Sequence, residues 1–264
     1  MGQPDEERRR PALQPAASFA VRALLAGFVF VVTGRLANRR AEPRVSACNG
    51  FTQPYDGIKL NGEQLEQLDA GRKLTLSKRE AGVGGGRGTA VCDIAAPPKE
   101  IWKTILDFDH YKGRLAQCKY STVYERKKNV MSRTETIKVH MKLDGIIRDF
   151  NCYYDHTFKP DKNELTWTLD PEKENDFLDV QGQWIVEKHP SKPDHSRVFY
   201  SADVLLPSWL PGMVVVTLCK TSGIKALTFV KKAAEADFAT KQTGGFASRL
   251  RAGLGGGGRG GASG

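Results

Sequence analysis

Residues Pro207 to Phe238 read PSWLPGMVVVTLCKTSGIKALTFVKKAAEADF. At the helical angle of about 100° per residue, the part from Val215 to Ala234 divides into two halves. Leu218, Phe229, Ser222, Val215, Ala233, Ala226, Cys219, Val230, Gly223, Val216, Ala234 and Leu227 fall on one side. Lys220, Lys231, Ile224, Thr217, Thr228, Thr221, Lys232 and Lys225 fall on the other. This predicts a long helix with one face made to be buried. The centre of that face is small, at Cys219, Ser222, Gly223 and Ala226. Two readings are open at this point: close packing of helix on sheet, or room left beneath the helix for a ligand.

Upstream of the helix the chain alternates as strands do. Leu165, Trp167 and Leu169 alternate with Thr166 and Thr168. Leu178, Val180, Gly182, Trp184 and Val186 form the inner series of the next strand, and Val198, Tyr200, Ala202, Val204 and Leu206 that of the last. Between the last two lies a polar turn, KHPSKPDHS, at 188–196. Asp144-Gly145 reads as a two-residue type I′ turn. It would set Leu143 opposite Ile146, Met141 opposite Arg148, Val139 opposite Phe150, Ile137 opposite Cys152 and Glu135 opposite Tyr154. Alternation then places that set on one face and Lys138, His140 and Lys142 on the other. Arg148 reads either as a rim residue, its stem on apolar surface and its head in water, or as a polar handle inside a greasy pocket.

Nearer the N-terminus, Asn61 caps a short helix with Leu65 and Leu68 on one face and Gly71 past its end. LTLSKRE (74–80) and TAVCDIAA (89–96) read as strands, with Gly84-Gly85-Gly86-Arg87-Gly88 as a flexible hairpin or bulge between them. The glycines do not fit a phosphate loop, since no Gly-Lys-Ser/Thr follows and no helix opens there. Pro97-Pro98 starts a helix with Ile101, Trp102, Ile105, Leu106 and Phe108 on its apolar side, ending near His110 to Gly113. Asp107, Asp109 and His110 diverge at that helix end and read as solvated polar residues.

The formal net charge of +10 belongs mostly to the ends. Residues 1–44 carry eight Arg against four acids, and 241–264 carry four basic residues and no acid, which leaves +2 for 45–240. A near-neutral folded part argues against a nucleic-acid-binding domain. The five cysteines (48, 92, 118, 152 and 219) are odd in number, widely spaced and without C-x-x-C, so neither a disulfide framework nor a zinc site is expected. Cys152 and Cys219 read as small core residues.

Residues 1–47 read as an address. Arg8, Arg9 and Arg10 precede an apolar run, Phe19 to Val32, interrupted by Arg22. The uncharged stretch from Ala23 to Gly34 is twelve residues, short of the roughly 20 a membrane span needs. It suits a signal core or a short anchor, and the acid-poor LANRRAEPRVSA after it has transit-sequence character. The expectation is targeting to an organelle, plastid or mitochondrion, or membrane association through 19–34. The chain thus divides into a targeting or anchor segment (1–47), a linker with a short helix (48–72), a folded domain (73–240) and a disordered Gly/Arg-rich tail (241–264).

Strand, helix, a run of antiparallel strands and one long closing helix imply α+β. DIAAPPKEIWKTILDFDHYKGRL (93–115) resembles the opening strand and first helix of the START-like, helix-grip superfamily. RVFYSADVLLPSWLPGMVVV (197–216) with ALTFVKKAAE (226–235) resembles its end. Within it the chain is most similar to the polyketide cyclase and lipid-transport group that includes the coenzyme Q-binding START-domain proteins, over roughly 73–238. The resemblance implies a curved antiparallel sheet gripping the last helix, with an elongated apolar cavity between them. It implies a hydrophobic small-molecule partner, a lipid or isoprenoid quinone such as coenzyme Q, with no cofactor beyond that ligand. The expected lining is Trp102, Ile105, Val139, Met141, Arg148, Phe150, Tyr154, Trp184, Tyr200, Val204, Leu218, Cys219, Ser222, Ala226 and Phe229. Arg148, Glu135, Tyr154 and Ser222 are the candidate polar handles. Of the histidines only His156 shares the inner parity, and no nucleophile–base–orienter set is visible. Binding is therefore expected ahead of a cyclase or dehydratase activity, and an anchored interaction module is a further reading. A monomer is expected, and Lys220, Lys225, Lys231 and Lys232 read either as a solvated helix surface or as a face for a second partner, a membrane surface with anionic headgroups.

Overall fold

The computed structural model describes residues 59–78, 85–145 and 148–254, with side chains throughout these except at 76–78, 214–216, 218–220 and 244–254. Residues 1–58, on which the expected address falls, Ile146 and the end of the tail lie outside the described residues. In chain order the elements are α1 (Gly62–Asp69), β1 (Leu74–Lys78), β2 (Gly85–Ile94), α2 (Pro98–Ile105), a 3-10 turn (Phe108–His110), β3 (Cys118–Asn129) and β4 (Thr134–Leu143). They continue as β5 (Phe150–Lys159), β6 (Glu164–Leu169), β7 (Asp179–Lys188), β8 (Ser196–Leu205) and α3 (Gly212–Leu254). All eight strands form one antiparallel sheet in the order β1-β2-β8-β7-β6-β5-β4-β3. The expected α+β, helix-grip architecture is present: a curved, open antiparallel sheet with the closing helix laid against it.

The period of two along each strand sorts the side chains between faces. Ala90, Cys92 and Ile94 of β2 and Val198 and Ala202 of β8 turn inward and join the main core with Leu227, Val230 and Ala234 of α3. The alternate residues Val91 and Phe199 turn outward and are covered by Leu68 of α1 and Leu74. α1 begins as the sequence requires, with Asn61 and Gln64 forming a reciprocal capping box, and Gly71 follows at φ +78°.

Three sequence expectations are corrected. The glycines at 85, 86 and 88 do not form a hairpin; they lie within β2, paired with Leu205, Val204 and Ala202 of β8. A ladder on that side outweighs glycine's poor strand propensity, and a Cβ at Gly85 would sit 2.4 Å from the Val204 carbonyl oxygen. The Asp144-Gly145 turn does not form either. The strands part after Leu143, and Leu143 pairs with Phe150, Met141 with Cys152, Val139 with Tyr154, Ile137 with His156 and Glu135 with Phe158. Asp144 instead donates its N–H to the Gln117 carbonyl at 2.7 Å, and Lys119 holds both Asp144 and Asp149 at 2.9 and 2.6 Å. Because each partner moves by an even number of residues, the inner and outer sets are unchanged. Lastly, α3 continues past Lys241 to Leu254, where the sequence points to a disordered tail. Ala, Lys, Gln, Arg and Leu in that stretch are good helix formers and carry the backbone through Gly244-Gly245.

Candidate functional site

Between the inner face of the sheet and α3 lies a cavity of about 400 Å³. Its sheet wall is built from Met141 and Leu143 of β4, Phe150, Tyr154 and His156 of β5, Trp167 of β6, Val180 and Trp184 of β7, and Tyr200, Ala202 and Val204 of β8. Phe108, Tyr111 and Leu115 close one side. α3 contributes Thr217, Thr221, Ser222, Lys225, Ala226 and Phe229. The surface is thus mostly aromatic and aliphatic with few polar atoms, the composition of a small-molecule site. Gly182 makes one wall possible: a Cβ there would lie 2.1 Å from the Trp167 ring, so only glycine lets that indole lie flat across β7.

The polar groups within are few and their roles are constrained. Tyr111 donates its hydroxyl to the Ile105 carbonyl at 2.7 Å, and burial holds that hydroxyl protonated. Burial also pushes Tyr154 well above its ordinary range. His156 is 4% exposed and places Nδ1 3.2 Å from the Ile137 carbonyl oxygen. A carbonyl only accepts, so Nδ1 carries the proton and Nε2 is left with a lone pair. Burial lowers this histidine to about 3, against a weaker upward pull from the Ile137 carbonyl. It is therefore neutral at physiological pH.

Nine of the fifteen expected residues meet at the cavity: Met141, Phe150, Tyr154, Trp184, Tyr200, Val204, Ser222, Ala226 and Phe229. Trp102, Ile105 and Val139 do not; they are buried in the core, with the Trp102 ring 4.8 Å from Phe158. Arg148 is not an internal handle. It stands in the loop before β5, on the outside, and pairs with Asp176 at 2.7 Å with its guanidinium 5.5 Å from the Trp209 ring. The failed tight turn is the reason, since without it Arg148 is not a strand residue. Glu135 lies 3.4 Å from Arg126 and outside the cavity. The side chains of Leu218 and Cys219 lie outside the described residues.

Sequence reasoning missed the aromatic floor of Phe108, Tyr111, His156 and Trp167, as well as Thr217, Thr221 and Lys225. The parity of His156 and Trp167 was visible; their approach across the sheet was not. Thr217, Thr221 and Lys225 fall on the half of the helical wheel expected to face outward. Leu178, expected to face inward, precedes β7 and is 52% exposed.

A second polar cluster lies on the other side of β2. Asp69, Asp93 and His189 bring ligand-type atoms within 4.8 Å of one another. Their donors are already committed. Arg197 grips Asp93 at 2.8 and 2.9 Å, and His189 Nδ1 accepts the Lys192 N–H at 3.0 Å, so Nε2 carries the proton it donates to Asp93 at 3.1 Å. A histidine protonated on the nitrogen that faces the carboxylates is not a metal ligand there. The cluster is a buried staple, and it places His189 inside rather than in a solvated turn. Among the described residues Cys92, Cys118 and Cys152 are free and buried, and burial pushes Cys92 and Cys152 up to about 12.

Residues 94–222 match the family described as polyketide cyclase / dehydrase and lipid transport. No curated protein matches the sequence. Among solved structures, a STAR-related lipid transfer protein from Xanthomonas axonopodis aligns with a TM-score of 0.51 at 11% identity, over 61% of this chain and 93% of its own. A protein from Thermus thermophilus aligns with a TM-score of 0.49 at 16% identity, over 57% of this chain and 98% of its own. An aromatase/cyclase from a Streptomyces species gives 0.46 at 11% identity, over 57% and 94%. Residues 94–222 thus resemble that family, and the strand order and the closing helix give the chain the helix-grip fold that the lipid transfer protein also has.

Proposed function

We propose that this START-like chain is a non-catalytic carrier that takes up a hydrophobic small molecule beneath α3 and transports or presents it. The observation that carries the reading is the cavity itself, about 400 Å³ and walled by aromatic and aliphatic side chains. Each methylene moved from water into such a space contributes about 0.8 kcal/mol, so affinity needs no chemistry. The volume lies within the roughly 300–1,000 Å³ of small-molecule sites, so a quinone head group fits it and a long polyprenyl tail must leave through the mouth. The cyclase reading is disfavoured because a general base works best with a pKa near ambient pH. His156, the one cavity histidine among the described residues, lies at about 3.

A membrane is the proposed source and destination of the ligand. Trp209, Met213 and Leu178 are exposed, and Trp209 and Met213 flank the cavity residue Leu210 while Leu178 follows Phe177. Exposed apolar side chains, with basic Arg148 beside Trp209, suit an interface with anionic headgroups. Residues 1–47 would deliver the chain to its organelle, which localising a fluorescent fusion of residues 1–60 tests.

The carrier reading is tested by calorimetric titration of the full chain with quinones bearing one, two and four isoprene units. Affinity should rise from the first to the second and then level off as the cavity fills. Failure of every quinone and of a general apolar probe to bind would contradict it.

A further inference from the structure

Outside its apolar contacts, the cavity holds one feature that the carrier reading does not use. His156 lies in the middle of β5, its ring 4.5 Å from Phe108, 5.9 Å from Tyr154 and 6.0 Å from Trp167 by centroids. Its Nδ1–H is spent on the Ile137 carbonyl. Among the described residues Nε2 has no protein donor, although the side chain lines the cavity and is 4% exposed. The ring lines the cavity, so the bond that Nε2 lacks from the protein is left to whatever fills that space. Neighbouring hydroxyls do not supply the bond: Tyr111 is committed to Ile105, and no hydrogen bond joins His156 to Tyr154.

We infer that His156 Nε2 is the recognition point for a hydroxyl on the ligand, so that the chain selects an apolar molecule carrying an alcohol or phenol over one ending in an ether, a bare carbonyl or a carboxylate. The inference rests on the carrier reading and refines it. The chemistry follows from the tautomer. A lone pair on Nε2 needs an O–H or N–H from the guest, which a quinone carbonyl or an ionised acid does not have. A reduced, hydroquinone-type ring or another phenol does. The flanking Phe108 and Trp167 rings fit the flat face of such a molecule. Burial holds the imidazole neutral, so a fixed positive charge that would favour an anionic guest is absent at this point. The specificity comes mainly from the cost of leaving the acceptor unpaired when the wrong guest displaces water.

The test uses the full chain and three bicyclic probes of nearly equal size: 2-naphthol, 2-methoxynaphthalene and naphthalene. Binding is followed by calorimetry or by quenching of tryptophan fluorescence. 2-Naphthol should bind about five- to tenfold more tightly than its methyl ether, the range of one buried hydrogen bond. In His156→Phe that preference should vanish, with circular dichroism showing that the variant is folded. His156→Gln, which restores an acceptor, should recover part of the preference. Equal binding of 2-naphthol and its ether to the native chain would overturn the inference and leave the carrier reading standing. Failure of all three probes to bind would overturn both.

Discussion

The two sides of α3 meet the sheet in opposite ways. On one side Gly223, Leu227, Val230 and Ala234 are buried against it, and the contact is tight. A Cβ at Gly223 would lie 3.0 Å from the Ala90 Cβ and 3.1 Å from the Tyr200 ring. Lys231 ties this side down by donating to the Asp93 carbonyl at 2.8 Å, above the Asp93–Arg197–His189 staple. On the other side Ser222, Ala226 and Phe229, with Thr217, Thr221 and Lys225, face open space. The small residues of one helix therefore do two jobs. Glycine allows close approach at one edge, and serine and alanine leave volume at the other. What separates the edges is the sheet: β2 and β8 come up to the helix, while β4 to β7 curve away behind a layer of aromatic rings.

The sharpest way to break this division is on the packed side. Arg197→Ala takes the guanidinium from the buried Asp93 carboxylate, leaving it the His189 N–H alone, and should cost about 3–5 kcal/mol, read as a lower denaturation midpoint. A loss below about 1 kcal/mol would mean that the staple is dispensable. On the cavity side the largest effect should come from pH. His156 falls from 6.5 to about 3 on folding, so between those values the unfolded chain binds a proton that the folded chain does not. Stability from the neutral imidazole is fully present above about 6.5 and falls by about 1.4 kcal/mol per pH unit toward about 3. Denaturant curves at pH 7 and 4.5 should show this loss in the native chain and lack it in His156→Phe. Parallel losses would contradict a buried, neutral His156.

Substitution at the helix itself should separate the two edges more finely. Gly223→Leu forces atoms into the Ala90 and Tyr200 contact and should destabilise by about 1–3 kcal/mol, with ligand uptake impaired only through misfolding. Ala226→Trp should do the reverse. It fills the cavity, destabilises less than Gly223→Leu because the indole enters open space, and abolishes uptake of apolar probes. If thermal unfolding ranks the two variants the other way, the assignment of edges is wrong.

Much of this was legible in the sequence because it follows from period. Strand alternation gave the inner faces of β4 to β8, and those assignments survived a wrong hairpin register since the partners moved by an even number. The helical wheel found the buried side of α3 at Gly223, Leu227 and Val230. It put Thr217, Thr221 and Lys225 on the outside because it ranks by polarity, and the mouth of a cavity is a place where polar helix residues face inward. Arg148 was misplaced by a local signal, Asp144-Gly145, that lost to longer-range partners, the Gln117 carbonyl and Lys119. His189 looked like turn material because its partners Asp93 and Arg197 are distant in sequence and meet only when β2 pairs with β8. The tautomer of His156 depends on one carbonyl across the β4–β5 ladder, which no single-chain pattern encodes.

The measurement closest to the central claim is mass spectrometry of what the full chain carries when recovered from its native membrane-containing extract without detergent. Organic extraction should release about one apolar molecule per chain from the native protein and none from Ala226→Trp. Native protein that emerges empty, and stays empty after incubation with the lipid extract, would contradict the account.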